Sequence, residues 1–260
     1  MKDLLYTFDL RGYLVIPNVL SRRECVVLRR AIERRRENLE QNLLGQKVSG
    51  KMGMAAGLLQ EGGDFLRLID HPRVVEVLQS VISSRLRLEY VYGLIYDFGS
   101  PHLDMHVGEE RDWSSFHYVV KNDIIHAGMC VVSYVLQDQD SSTGGFACVP
   151  GSHREQIGLS NSDRRRLFKI DSPLVETVEA KAGSAILFTE RLWHGASAWR
   201  DKQNPRICLF YKYNDRACRH IHPDSCDQLE DFEHLLSDER RLFFGPPWVT
   251  GGPTVSGRNG

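Results

Sequence analysis

The sequence predicts a mainly β protein with flanking helices, an antiparallel sandwich or jelly roll buttressed by N-terminal α-helices. Three observations point there. Apolar residues recur at helical spacing mostly in the first third of the chain. From Leu86 the apolar period switches to two, and short apolar runs follow, separated by Gly, Asp, Asn and Pro. A parallel sheet would need a helix after each strand, and the runs are not spaced that way.

The elements follow in order. Ser21 with Glu24 three residues later forms a capping box, and Cys25, Leu28, Ile32, Leu39 and Leu43 recur on one face, so a long amphipathic helix is expected over 22–44. Residues 48–63, rich in Gly and Met, read as a mobile loop. Pro72 suits a first helical turn, and Val74, Val75, Leu78, Val81 and Ile82 form the stripe of a second helix. Leu86, Leu88, Tyr90, Tyr92, Leu94 and Tyr96 alternate with the residues between them and mark a strand. Further strands are expected at 129–136, 146–149, 175–178, 184–188 and 206–213. A last helix is expected near 227–236, within a C-terminal helical part of about 224–244, before a Pro/Gly-rich tail at 245–260. Without a repeat or a clear linker, the economical division is one domain over 1–244, with a helical part to about 84 and a jelly-roll core over about 85–215. Phe243, Phe244 and Trp248 are expected to cover the barrel or a neighbour; oligomeric state is not legible.

Length and charge exclude other classes. The chain has 260 residues, 33 Lys+Arg against 34 Asp+Glu, and a net charge of -1. A chain this long buries roughly 70–75% of its unfolded surface, enough for a large core without a structural metal or disulfide. Nucleic acid is an improbable partner because phosphate contacts demand a basic excess. The clusters Arg34-Arg35-Arg36 and Arg164-Arg165-Arg166 are flanked by acids and read as solvated helix faces. The longest apolar runs fall far short of the ~20 residues that cross a bilayer, so no membrane span is expected. Asp3, Asp9 and Arg11 interrupt any signal-peptide core, and six scattered cysteines read as reduced thiols of a cytoplasmic protein.

The chemistry concentrates after the most regular strand, in Pro101-His102-Leu103-Asp104-Met105-His106. In extended backbone, residues i and i+2 face the same side about 6.6 Å apart, so His102 and Asp104 can converge on one metal ion. Two imidazoles and one carboxylate on one face of an ion suit non-haem Fe(II). His106 extends the same face and competes with His102 as first ligand. The distant imidazole is His194, in Trp193-His194-Gly195 after the apolar run 184–188. Twelve residues later Arg206 opens another apolar strand. A guanidinium buried there needs an anionic partner, and a dicarboxylate would satisfy it bidentately.

These strings resemble the phytanoyl-CoA dioxygenase family of Fe(II)- and 2-oxoglutarate-dependent oxygenases. The likeness runs from Gly12-Tyr13-Leu14-Val15-Ile16-Pro17 to about Tyr213 and includes Gly144-Gly145-Phe146-Ala147-Cys148-Val149-Pro150-Gly151-Ser152-His153. The resemblance implies a double-stranded β-helix, a cupin-like jelly roll. It also implies Fe(II) held by His102, Asp104 and His194, with 2-oxoglutarate on Arg206 and O2 as oxidant. The small hydroxylated residue that often follows His-Gly in the family falls here at Ser197, a further candidate toward 2-oxoglutarate. The stretch between Asp104 and the strand at 129 is longer than the family's, so the first ligand can move to His106. The activity implied is oxidation of a C–H bond of a small-molecule substrate, with release of succinate and CO2.

Two other classes stay open: a zinc-dependent hydrolase on His102, Asp104 and His106, and a non-catalytic jelly-roll binding protein. Segment 107–128, with Trp113, Phe116, His117 and Tyr118, is a candidate substrate lid. His153 is expected to bond nearby backbone. Cys218, His220, His222 and Cys226 match no established zinc spacing.

Overall fold

The computed structural model describes residues 1–34, 52–107, 117–155, 159–220 and 228–248. The helical part opens with α1 (Lys2–Arg11), α2 (Arg22–Arg34), α3 (Gly63–Arg67) and α4 (Pro72–Val81). The capping box is formed: the Ser21 backbone N–H donates to Glu24 at 2.8 Å, and the Glu24 N–H donates to Ser21 Oγ at 3.3 Å. The helix expected over 22–44 can be followed to Arg34; its remainder lies outside the described residues. In α4, Val74, Val75, Leu78 and Val81 are buried, as the stripe requires.

Among the described residues twelve strands follow the sequence order β1 (Tyr13–Ile16), β2 (Met52–Ala55), β3 (Leu86–Tyr96), β4 (Leu103–His106), β5 (Val119–Lys121) and β6 (Ile124–His126), then β7 (Cys130–Val135), β8 (Gly145–Cys148), β9 (Glu176–Thr177), β10 (Ala185–Thr189), β11 (His194–Ser197) and β12 (Arg206–Asp215). A six-stranded sheet runs β1-β10-β7-β12-β3-β2, and a four-stranded sheet runs β4-β11-β8-β9. All their pairings are antiparallel. The chain passes repeatedly between the two sheets from β3 to β12, the winding of a double-stranded β-helix.

The two faces of the large sheet carry two cores. Along β12, Ile207, Leu209, Tyr211 and Tyr213 pack with the helices, while Cys208 and Phe210 pack between the sheets. Along β10, Leu187 belongs to the first core, and Ile186 and Phe188 to the second. This period of two is why those strands are apolar nearly throughout: both faces are covered. Each fully buried side chain of this kind stabilises by about 1.5–3 kcal/mol.

Three regions depart from the sequence reading. The expected mobile loop at 48–63 contains, in its described part, β2 on the edge of the large sheet and a 3-10 turn at Leu59–Glu61. Pairing with β3 and burial of Leu58 and Leu59 hold it there, tertiary contacts that local composition does not encode. The helix expected at 227–236 is instead two 3-10 turns, Leu229–Asp231 and Glu233–Leu235, followed by a short α-helix, Asp238–Arg241. Ser237 caps that helix and Leu236 before it is extended, which interrupts the run. Phe243 then covers the chain's own barrel, its ring 6.2 Å from that of Tyr213.

The third departure is α1. Among its apolar residues only Phe8 is buried, so it lacks the stripe that announces an amphipathic helix. It ends at Gly12, whose φ of +80° is the left-handed conformation glycine tolerates. There the chain meets His153, whose Nε2 bonds the Asp9 carbonyl at 3.1 Å. His153 is thus a structural tie, as expected, and burial lowers its pKa to about 4.

Candidate metal and 2-oxoglutarate site

The end of β4 lies against the start of β11, with His106 directly opposite His194. Their ring centroids are 4.3 Å apart with planes at 53°. His194 Nδ1 bonds the Leu192 carbonyl at 2.7 Å, and His106 Nδ1 bonds the Asp104 carbonyl at 2.9 Å. A carbonyl only accepts, so in both rings Nδ1 carries a proton and Nε2 is the nitrogen left to face a metal ion. Burial, and then the neighbouring His106, lower the His194 pKa to about 3, so this imidazole is neutral at ordinary pH. Phe188 packs on it at 4.7 Å.

His102 and Asp104 are not part of this pair. Two steps along β11, Ala196 faces Leu103, so Gly195 alone opposes both Asp104 and Met105. This is a β-bulge: His102 and Asp104 still meet each other, as their spacing requires, but neither lines the cavity that His106 and His194 share. Leu103 and His106 both line the cavity. Met105 packs with Val149, Phe168 and Trp193. The Asp104 side chain is 96% exposed and touches His102 Nε2 at 3.2 Å. The bulge also explains the glycine after His194: a Cβ on Gly195 would sit 2.6 Å from the Leu103 carbonyl oxygen.

Arg206, which opens β12, is 2% exposed and lines the same cavity as the two histidines. Its guanidinium lies 4.8 Å from the Tyr96 ring centroid and donates through Nε to Gln139 Oε1 at 3.3 Å. Gln139 is oriented in turn by donating to the Val178 carbonyl at 2.8 Å. Among the described residues no carboxylate reaches Arg206, which leaves a buried cation provided with neutral partners only. An anionic ligand is what such a group is built to receive.

Ser197 stands apart: its Oγ bonds Thr177 Oγ1 at 2.7 Å, and it does not line the cavity. Of the possible zinc cluster, His222 and Cys226 lie outside the described residues, as does 108–116 of the candidate lid. The described part of that lid forms the hairpin β5–β6, with Tyr118 bonded to Asp9 at 2.8 Å. Among the described residues no three His, Cys, Asp or Glu side chains are grouped as they would be around a metal ion.

Sequence reasoning missed two residues of the cavity, Lys212 and Glu190, and one that orients Arg206 from outside its lining, Gln139. Gln139 comes from the loop after β7, where no local pattern marks it. Lys212 lies on the inward face of β12, in phase with Arg206, a signal the period of two did contain. Glu190 follows β10 and pairs with Lys212 at 2.5 Å. Burial opposes its ionisation, but the Lys212 ammonium and the nearby imidazoles prevail and hold it at about 2.

The comparisons with known proteins agree with the fold. The ectoine dioxygenase of Stutzerimonas stutzeri (strain A1501) is 22% identical over 237 residues, covering 82% of this chain and 76% of its own length. The crystal structure of HygX from Streptomyces hygroscopicus, with nickel and 2-oxoglutarate bound, superposes with a TM-score of 0.70 at 22% identity, covering 85% of this chain and 90% of that one. The non-haem α-ketoglutarate-dependent carbocyclase SnoK of nogalamycin biosynthesis superposes at 0.64 with 19% identity, covering 96% and 94%. The phytanoyl-CoA dioxygenase family model matches residues 8–208. With that match across most of the chain and a double-stranded β-helix carrying a paired imidazole site, the chain belongs to the phytanoyl-CoA dioxygenase family, the Fe(II)- and 2-oxoglutarate-dependent oxygenases.

Proposed function

We propose that His106 and His194 hold the Fe(II) of this dioxygenase and that Arg206 receives the distal carboxylate of 2-oxoglutarate. The observation that carries the reading is the cross-strand contact of His106 and His194, both with Nδ1 committed to backbone carbonyls, in one cavity with a buried arginine. The donor set fits the group in two imidazoles and one guanidinium. It does not fit in Asp104, which the bulge turns to solvent.

Bound there with 2-oxoglutarate and O2, iron supplies oxidation of a C–H bond, with release of succinate and CO2. The chain's own contribution is positioning. The Leu192 and Asp104 carbonyls fix the two ring orientations, and Gln139 and Tyr96 fix the guanidinium. Tyr92 and Phe210, stacked at 5.0 Å, wall the cavity together with Phe146 and Phe188.

The substrate is a small organic molecule and the working compartment the cytoplasm. Aromatic walls around a few convergent polar groups support the first statement. The second is supported by five free cysteines, four of them buried, among the described residues, none of which form a helix long and apolar enough to cross a membrane. The test is aerobic incubation of the purified protein with Fe(II) and 2-oxoglutarate, without substrate. Slow succinate formation that requires Fe(II) is the expected result. Its absence, with hydrolytic turnover supported by zinc, would replace this reading with the hydrolase.

A further inference from the structure

The cavity holds two charges that the roles above do not use. Glu190 and Lys212 line it beside His106, His194 and Arg206, with side chains 5% and 22% exposed. Both are built into rigid elements. The Glu190 N–H donates to the Met129 carbonyl at 2.9 Å, and Lys212 lies on β12 in register with Tyr90 and Val131. The ammonium stands 6.0 Å from the Tyr92 ring, which stacks on Phe210 with planes at 11°.

Taking two charges out of water costs about as much as their attraction returns unless the remaining hydrogen-bonding capacity is also met. Among the described residues one bond is made, from Lys212 Nζ to Glu190 Oε1. An ammonium has three N–H donors and a carboxylate two oxygens, so further donors and the second oxygen remain to be matched. The charge balance narrows what can match them. The imidazoles are neutral ligands, Arg206 is matched by the distal carboxylate of 2-oxoglutarate, and Glu190 with Lys212 sums to zero. A purely anionic head group would leave Glu190 facing a like charge, and a purely cationic one would do the same to Lys212. A ligand carrying both signs replaces one ion pair by two, each charge-assisted, with its apolar part against Tyr92 and Phe210.

We propose that the Glu190–Lys212 pair anchors the substrate to be oxidised and selects a small zwitterion, its ammonium on Glu190 and its carboxylate on Lys212. This rests on the assignment of the cavity as the oxygenase site. The test is isothermal titration of the protein loaded with Ni(II) and 2-oxoglutarate, using L-proline, pipecolate and glycine betaine as probes, against the methyl esters of the first two and cyclopentanecarboxylate. At least one zwitterion should bind, and its uncharged or singly charged counterpart should bind about tenfold or more weakly. Glu190→Gln and Lys212→Met should each remove that preference while Ni(II) and 2-oxoglutarate affinities stay unchanged, and Lys212→Arg should restore part of it. No zwitterion bound, or no preference over the esters and the acid, overturns the proposal. Loss of Ni(II) affinity in Glu190→Gln also overturns it, because Glu190 would then be a metal ligand. Failure of the unsubstituted protein to take up Ni(II) and 2-oxoglutarate would bring down the assignment of the cavity itself, and this inference with it.

Discussion

Asp104 and His106 stand two residues apart on β4 and both are exposed, yet only His106 lies against His194. A regular strand would have treated them alike, since residues i and i+2 share a face. The difference is the bulge opposite Gly195, which inserts one residue and re-aims what precedes His106. The lesson is that a spacing argument along a strand holds only while the ladder to its neighbour is regular. The ladder belongs to both strands.

Breaking the imidazole side of this contrast should have the largest effect. His194→Ala removes one of the two paired nitrogens and should lower turnover about 1,000-fold or more, read as succinate formation, with the fold intact by circular dichroism. Turnover at more than a tenth of the original would show that His194 is not a ligand.

Next in size is the cosubstrate end. Arg206→Ala should raise the KM for 2-oxoglutarate by about 100-fold, the loss of a buried bidentate charge pair, with metal affinity unaffected. Arg206→Lys should recover only part of it, because the planar fork is lost.

A third prediction uses the tie between His153 and α1 as a control. Burial lowers the pKa of His153 from 6.5 to about 4. The unfolded chain therefore binds a proton that the folded chain refuses between those values. Stability is complete above pH 6.5 and falls as the pH drops toward 4, by up to about 3 kcal/mol from this group. His153→Asn should flatten the denaturation midpoint over that window; an unchanged slope would contradict the burial argument.

The smallest effect sharpens the bulge itself. Gly195→Ala places a Cβ 2.6 Å from the Leu103 carbonyl and 3.1 Å from that of Asp104. The two strands must part to admit it, at a cost of about 1–3 kcal/mol, and metal affinity should fall with the displaced His106. A variant as stable as the parent would mean the bulge does not need glycine.

Much of this architecture was legible because it is written locally. The Ser21–Glu24 box, the Val74–Val81 stripe and the alternation along β3 and β12 each lie within one element, and each is formed. What was not legible depends on contacts between elements. Edge strands β1 and β2 exist because β10 and β3 offer them an unpaired edge. Glu190 and Lys212 in the cavity, and Gln139 on Arg206, come from three separate segments that only the barrel brings together. His194 and Arg206 could be picked out because a polar residue bordering an apolar strand stands out without any partner. The choice between His102 and His106 could not be made from spacing, since it turns on the cross-strand register.

That choice is also the central claim, and one titration decides it. Metal-free protein is titrated anaerobically with Fe(II) and then 2-oxoglutarate, following the visible charge-transfer band of the chelated keto acid, in the parent, His106→Ala, His102→Ala and Asp104→Ala. The account predicts that the band is lost in His106→Ala and retained in His102→Ala and Asp104→Ala, with apparent affinities within about threefold of the parent. A band that survives His106→Ala but disappears with Asp104→Ala or His102→Ala would contradict it, and would place the iron on the outer string that the bulge turns to solvent.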